Sequence, residues 1–339
     1  MVRVAIAGLG FMGKMHMGVY GSLPDSEVTA VCDLQADTID LSALEPAGNI
    51  KTTTASKQDL SRVRSYTDYG KMLRDGGFDV VDICLPTKLH PSFAQQAFDS
   101  GYHVFCEKPI ALTEEDSAAM IAAAARSGRL LGVGQCLRFW PAYSEVRKLL
   151  QTGPYGRVKY AEFARFSSPP GWGWKNWLVD GAISGNAGFD LHIHDVDMVL
   201  YLFGPPSAVS SRGVPADDGS FQHIATLYDY PDKVVASTGG WICTDSFGFN
   251  MRAFFILERA TIELDFSKEP NVSISPQGGA RYALPLPSGD GYYHELADFV
   301  AGVARGRLSG VVTGESAAES VRVCLREIES AGSGLKVPI

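Results

Sequence analysis

A chain of 339 residues with 45% hydrophobic and 20% charged side chains is long for one hydrophobic core, and predicts two domains of ordinary globular composition. Its formal charge of -8 excludes the basic field that nucleic acid or an anionic lipid surface demands. No apolar run is long enough to span a bilayer, and the six cysteines (Cys32, Cys84, Cys106, Cys136, Cys243, Cys324) contain no C-x-x-C pair, which reads as reduced core thiols in a cytoplasmic protein.

Residues 2–7 form a short apolar run rich in β-branched side chains, followed by Gly8-Leu-Gly10-Phe-Met-Gly13 and a helical pattern to about Tyr20. The segment has the length of a short signal sequence, but strand, glycine turn and helix in that order predict a dinucleotide-binding unit. Gly8 permits the tight turn, Gly10 lets backbone approach a pyrophosphate, and Gly13 allows helix to pack closely on strand. Phe11 and Met12 complete this candidate cofactor loop. A second strand over 28–32 ends at Asp33, twenty positions after Gly13, the spacing at which a carboxylate meets the adenosine ribose. Leu34-Gln35-Ala36 offers no arginine for a 2′-phosphate, so NAD is expected over NADP.

Residues 35–64 read as a helix stub and a surface loop, with Pro46, Gly48 and three consecutive threonines from Thr52. A short helix over 66–74 precedes Gly76-Gly77. An almost continuous apolar run over 79–85 has the character of a strand covered on both faces. It ends in Pro86-Thr87-Lys88-Leu89-His90, and a helix to Ser100 is closed by Gly101, where a left-handed cap belongs. The strand His103–Cys106 then runs into Glu107-Lys108-Pro109. Pro109 lacks an N–H, so the ladder stops there and Lys108 is held extended at the carboxyl end of a strand, where open α/β sheets bind ligands. An alanine-rich helix over 113–126 and a strand over 130–136 complete a doubly wound parallel sheet, placed at residues 1–134.

Beyond residue 135 strand-like runs follow one another at 158–166, 207–212, 223–230, 233–243, 251–257 and 261–266, and helices close the chain at 292–304 and 315–331. The second domain, 135–339, is therefore α+β with a large, mostly antiparallel open sheet. Between its first strands lies a segment with Asp190, His192, His194, Asp195 and Asp197. Read as one helix, it puts Asp190, His194 and Asp197 on a common face, a carboxylate one turn from an imidazole, which is an acid/base arrangement. A capped, solvated face is the plain alternative. A metal is not expected, because on a helix His192 and His194 point to opposite sides. Trp172, Trp174 and Trp177 form a loop suited to stacking on a sugar face or to plugging an interface, with Lys175 and Asn176 beside them. Arg138 is a further candidate for substrate contact; Tyr160, His223, Trp241 and His294 do not rise above core or surface roles.

The glycine turn, Glu107-Lys108-Pro109 and Asp190…His194…Asp197, in that order and spacing, resemble the glucose-fructose oxidoreductase, inositol dehydrogenase and MocA family of NAD(P)-dependent sugar and polyol dehydrogenases. The likeness covers almost the whole chain, including Pro86-Thr87 through His90 and the helix after Thr313-Gly314-Glu315. It implies a Rossmann domain and a second domain whose open sheet often mediates homodimers or homotetramers. It implies Lys108, Asp190 and His194 as the catalytic group, and Pro86, Thr87, His90, Glu107 and Lys108 as cofactor neighbours. The substrate would be a sugar or cyclic polyol, with Arg138, Asp197 and the three tryptophans near it. The chain departs from the family where His192 replaces a small residue, in the run Gly185-Asn186-Ala187, and in the length of 45–64. Two other readings keep the fold: a redox-neutral NAD-dependent glycoside-processing enzyme, and a non-catalytic NAD or sugar sensor.

Overall fold

The computed structural model describes residues 1–36 and 59–339, so the expected loop over 35–64 lies mostly outside the described residues. The chain divides into two compact units. The first comprises residues 1–136, 172–177 and 290–319; the second comprises 137–171, 178–289 and 320–339. Beside the expected domains, 1–134 and 135–339, this division groups a late segment, 290–319, with the first unit.

In chain order the first unit runs β1 (Val2–Ala7), α1 (Phe11–Tyr20), β2 (Ser26–Cys32), β3 (Arg64–Tyr66), α2 (Tyr69–Asp75), β4 (Val80–Ile83), α3 (His90–Asp99), β5 (His103–Cys106), α4 (Glu114–Ser127) and β6 (Leu131–Val133). The chain continues with α5 (Pro141–Thr152), β7 (Val158–Ser167), α6 (Gly181–Ser184), α7 (Asn186–Asp190), α8 (Ile193–Phe203), β8 (Ala208–Pro215), β9 (Phe221–Asp229), β10 (Val234–Gly240), β11 (Phe249–Leu257), β12 (Ala260–Asp265), β13 (Val272–Pro276) and β14 (Tyr282–Ala283). Then come α9 (Gly291–Arg305), α10 (Gly314–Ser333) and β15 (Val337–Pro338).

The first sheet is parallel with strand order β3-β2-β1-β4-β5-β6. β1 lies between β2 and β4, which places the topological switch point at their carboxyl ends, beside the glycine turn. The strands are short and apolar because both faces are covered: Val4, Ile6, Val80 and Val104 have no exposed surface. α4 shows how local chemistry sets the ends. Thr113 accepts a hydrogen bond from the Asp116 N–H at its start, three acids fill the first turn, and left-handed Gly128 closes it. α9 covers the end of this sheet with Phe299, which meets Phe105 edge-on at 5.1 Å. A side chain at Gly132 would strike the Phe299 ring, so the strand there is glycine.

The second sheet has nine strands in the order β14-β13-β12-β11-β7-β10-β9-β8-β15, antiparallel except for β7 beside β10. Alternation decides its faces: Phe163, Val235, Phe255 and Ile262 point inward with no exposed surface, while Leu227, Phe254 and Ile256 point outward. β13, β14 and β15 were not anticipated by the sequence reading. None of the six cysteines forms a disulfide. No helix among the described residues is long and apolar enough to cross a membrane.

Candidate active site

The glycine turn is built by two close approaches and one gap. Gly8 has φ +96°, and a Cβ there would sit 2.4 Å from the Cys84 carbonyl oxygen; a Cβ on Gly13 would sit 1.9 Å from the Gly8 carbonyl oxygen. Gly10 differs: a Cβ there would meet no protein atom within 4 Å, and no side chain caps the helix that starts after it. Protein packing therefore requires glycine at positions 8 and 13 but leaves room at 10, above an uncapped helix N-terminus, where a dinucleotide pyrophosphate fits. Asp33 accepts a hydrogen bond from the Leu9 N–H at 2.8 Å and another from the Gln35 N–H at 2.9 Å, which fixes its carboxylate beside the same turn. These residues would hold the diphosphate and the adenosine ribose of NAD.

At the ends of β4 and β5, Lys108 is half-buried, and the Lys108–Pro109 peptide is cis. Its neighbours act as scaffold. His90 is buried, with Nδ1 2.8 Å from the Pro109 carbonyl oxygen and Nε2 2.8 Å from the Leu85 carbonyl oxygen, and burial holds its pKa down. The ring clasps the two strand-end loops together. Thr87 is likewise buried, while Pro86 stays partly open. The Glu107 carboxylate is buried, takes the Lys108 N–H at 3.1 Å, and approaches His16 Nε2 at 3.2 Å. His90 and Glu107, expected as cofactor neighbours, make these contacts with protein groups. His16 was missed in sequence because its partners are far away in the chain.

In the second unit the segment over 186–203 is not one helix. α7 ends at Asp190, Leu191 and His192 interrupt, and α8 begins at Ile193. Three ionisable side chains of this segment are committed inward. His192 Nε2 lies 2.9 Å from Glu327 Oε2, both without exposed surface. Asp195 takes Arg165 through Nη2 at 3.0 Å and Nε at 3.2 Å. Asp197 takes Arg138 through Nε at 2.8 Å and Nη2 at 2.7 Å, plus the Ser320 hydroxyl at 2.9 Å. Burial opposes the charge of Arg138, but the Asp197 carboxylate outweighs it and the pKa is raised. Arg138 and Asp197, expected near substrate, satisfy each other in the interior. His192, Asp195 and Asp197 thus each have a separate buried partner. Asp190 and His194 are the two that remain partly exposed.

The sequence matches a family model described as "Oxidoreductase family, NAD-binding Rossmann fold" over residues 2–135 and one described as "GFO/IDH/MocA C-terminal domain" over 143–262. The chain belongs to the Gfo/Idh/MocA oxidoreductase family. It is 26% identical to scyllo-inositol 2-dehydrogenase (NAD(+)) of Bacillus subtilis (strain 168), covering 100% of this chain and 96% of that one. It is 31% identical to D-glucoside 3-dehydrogenase of Escherichia coli (strain K12), over 66% of this chain and 59% of that one. The fold is also that of a levoglucosan dehydrogenase solved in complex with NADH and levoglucosan, with TM-score 0.84 and 20% identity over 100% of this chain and 99% of that one.

As a Gfo/Idh/MocA oxidoreductase the chain carries three groups able to handle a proton or a hydroxyl: the Lys108 amine, the His194 imidazole and the Asp190 carboxylate. The tryptophan loop groups with the first unit. Trp172 and Trp174 are exposed and Trp177 partly so, and the Lys175 ammonium stands over the Trp174 ring at 4.5 Å. Lys175 and Asn176 hold left-handed backbone, with φ of +50° and +58°, a conformation that costs a non-glycine residue energy.

Proposed function

We propose that this Gfo/Idh/MocA oxidoreductase transfers hydride between NAD and a secondary alcohol or ketone of a sugar or cyclic polyol, with Lys108 and His194 as the acid/base pair. The observation that carries this reading is the sorting of the 190–197 segment by exposure: His192, Asp195 and Asp197 are buried against inward partners, whereas Asp190 and His194 keep part of their surface open. The named relatives act on inositols and glucosides, which supports the substrate class. The Asp33 carboxylate favours two ribose hydroxyls over a 2′-phosphate, which supports NAD over NADP. When bound, NAD supplies the hydride acceptor. Asp190 orients the substrate hydroxyl, and His194 or Lys108 removes its proton as the C–H hydride departs, so that the carbinol becomes a ketone. The reverse reaction returns both. Trp172, Trp174 and Trp177 stack on the apolar face of the ring. The outward face of the nine-stranded sheet joins copies of the chain as a dimer or tetramer.

The test is absorbance of NADH on mixing the protein with NAD or NADP and a panel of inositols, aldoses and sugar acids, with Lys108→Ala alongside. NADH formed with one compound, and lost in the variant, supports the reading. Silence across oxidation and ketone-reduction panels while NADH binds would overturn it in favour of redox-neutral chemistry or a sensor.

A further inference from the structure

His16 lies on α1, three residues past Gly13, and its ring is fully buried. Nδ1 is 2.8 Å from Asp82 Oδ2 after the midpoint of β4, and Nε2 is 3.2 Å from Glu107 Oε1. Ionised carboxylate oxygens accept and do not donate, so a ring that faces one at each nitrogen carries both N–H groups and a positive charge. The approach at Nε2 is close but not aligned as a hydrogen bond, so the attraction there is chiefly Coulombic. Cys84 Sγ stands 3.3 Å from Nδ1, and the Tyr20 and Phe105 rings meet the imidazole edge-on.

Glu295, from α9, faces the same point. Its carboxyl is buried, neither oxygen has a hydrogen-bond partner, and ligand-type atoms of His16, Glu107 and Glu295 all lie within 4.8 Å of one another. Three ionised carboxylates around one imidazolium would leave uncompensated negative charge in the interior. Burial first, and then the Glu107 carboxylate, with Asp82 and Asp290 behind it, raise Glu295 well above the ordinary carboxyl range, so it keeps its proton. Burial opposes charge on His16, but the Asp82 carboxylate outweighs it and raises the ring's pKa well above the ordinary histidine value.

We propose that His16 is a positioning residue for Lys108: its charged ring neutralises Glu107 and ties the helix after the glycine turn to the strand end that carries the lysine, with Glu295 as a neutral third member. The inference rests on the reading of Lys108 as a proton-transferring amine. Glu107 precedes Lys108 and takes its backbone N–H. In a variant without the His16 charge, the Glu107 carboxylate loses its cationic partner, and an unbalanced carboxylate one residue away favours an ammonium over a free amine.

The test compares wild type with His16→Gln, which keeps an N–H but no charge. Lys108 is labelled with acetic anhydride across pH and read by peptide mass spectrometry, which needs no substrate; NADH binding is followed by fluorescence, and turnover on whichever polyol the panel yields. The expected result is a labelling midpoint raised by about one pH unit, and kcat reduced about tenfold with KM changed far less. A variant that binds NADH and keeps both the wild-type midpoint and kcat overturns the proposal, as does a loss confined to KM. If His16→Gln does not fold, Asp82→Asn, which removes the acceptor that keeps the ring charged, must move the midpoint the same way; an unmoved midpoint overturns the proposal. A stoichiometric divalent metal in the purified protein also overturns it, because a cation would then balance the carboxylates. If the wild type turns over nothing, the oxidoreductase chemistry of Lys108 fails, and the labelling midpoint alone still decides the role of His16.

Discussion

Asp197 takes two guanidinium N–H groups and a serine hydroxyl in a site with almost no exposed surface. Cutting it back to alanine leaves Arg138 charged and buried without its partner, which costs roughly 3–5 kcal/mol. Urea unfolding of Asp197→Ala is expected to show that loss as a lower midpoint with unchanged slope; a midpoint equal to wild type would mean that solvent reaches the pair. Glu295 makes a different prediction, in pH. Its proton affinity, like that of His16, is higher in the folded chain than in the unfolded one. Folding therefore takes up protons, and stability falls as pH rises: from about 4.5 for Glu295 and from about 6.5 for His16, until each folded pKa is passed. Each proton contributes a slope of roughly 1.4 kcal/mol per pH unit. Between about pH 5 and 6.5, where His16 is protonated in both states, Glu295→Gln should flatten the decline by one proton. Equal slopes in variant and wild type would show that Glu295 is ionised.

At the level of single elements, the glycine turn separates packing from ligand binding. Gly13→Ala places a methyl 1.9 Å from the Gly8 carbonyl oxygen and is expected to destabilise the first unit outright. Gly10→Ala meets nothing, at a backbone φ of −68° that alanine adopts readily, so thermal stability should hold while NADH affinity, read by fluorescence titration, falls about tenfold or more. Normal NADH affinity in Gly10→Ala would remove the pyrophosphate from this turn. That turn, Asp33 and Lys108 were legible in the sequence because their signals are local: a spacing of glycines, a strand end, a proline. The segment over 186–203 was read as one helix from its periodicity, and the break at Leu191–His192 was hidden because the partner of His192, Glu327, lies 135 positions away. Asp82 lies inside the apolar run over 79–85, and nothing local names His16, 66 positions earlier, as its partner. Arg138–Asp197 and Arg165–Asp195 were hidden for the same reason. β14 and β15 were missed because two-residue strands have no periodicity to read.

For the molecule as a whole, the nine-stranded sheet presents Leu227, Phe254 and Ile256 on its outward face, with Leu227 52% exposed. Apolar side chains grouped on one sheet face suit a self-complementary interface. Sedimentation of the wild type should show a dimer or tetramer, and Leu227→Glu with Phe254→Glu should yield monomer with retained fold; a monomeric wild type would end that reading. The return of residues 290–319 to the first unit has a consequence for how the protein is made. A ribosome has finished β6 long before it reaches α9, so the nascent sheet waits with Phe105 uncovered and His16 and Glu107 lacking Glu295. At about 5–20 residues per second that interval is roughly ten to thirty seconds. The nucleotide-binding half of the enzyme is thus the first to be written and among the last to be sealed.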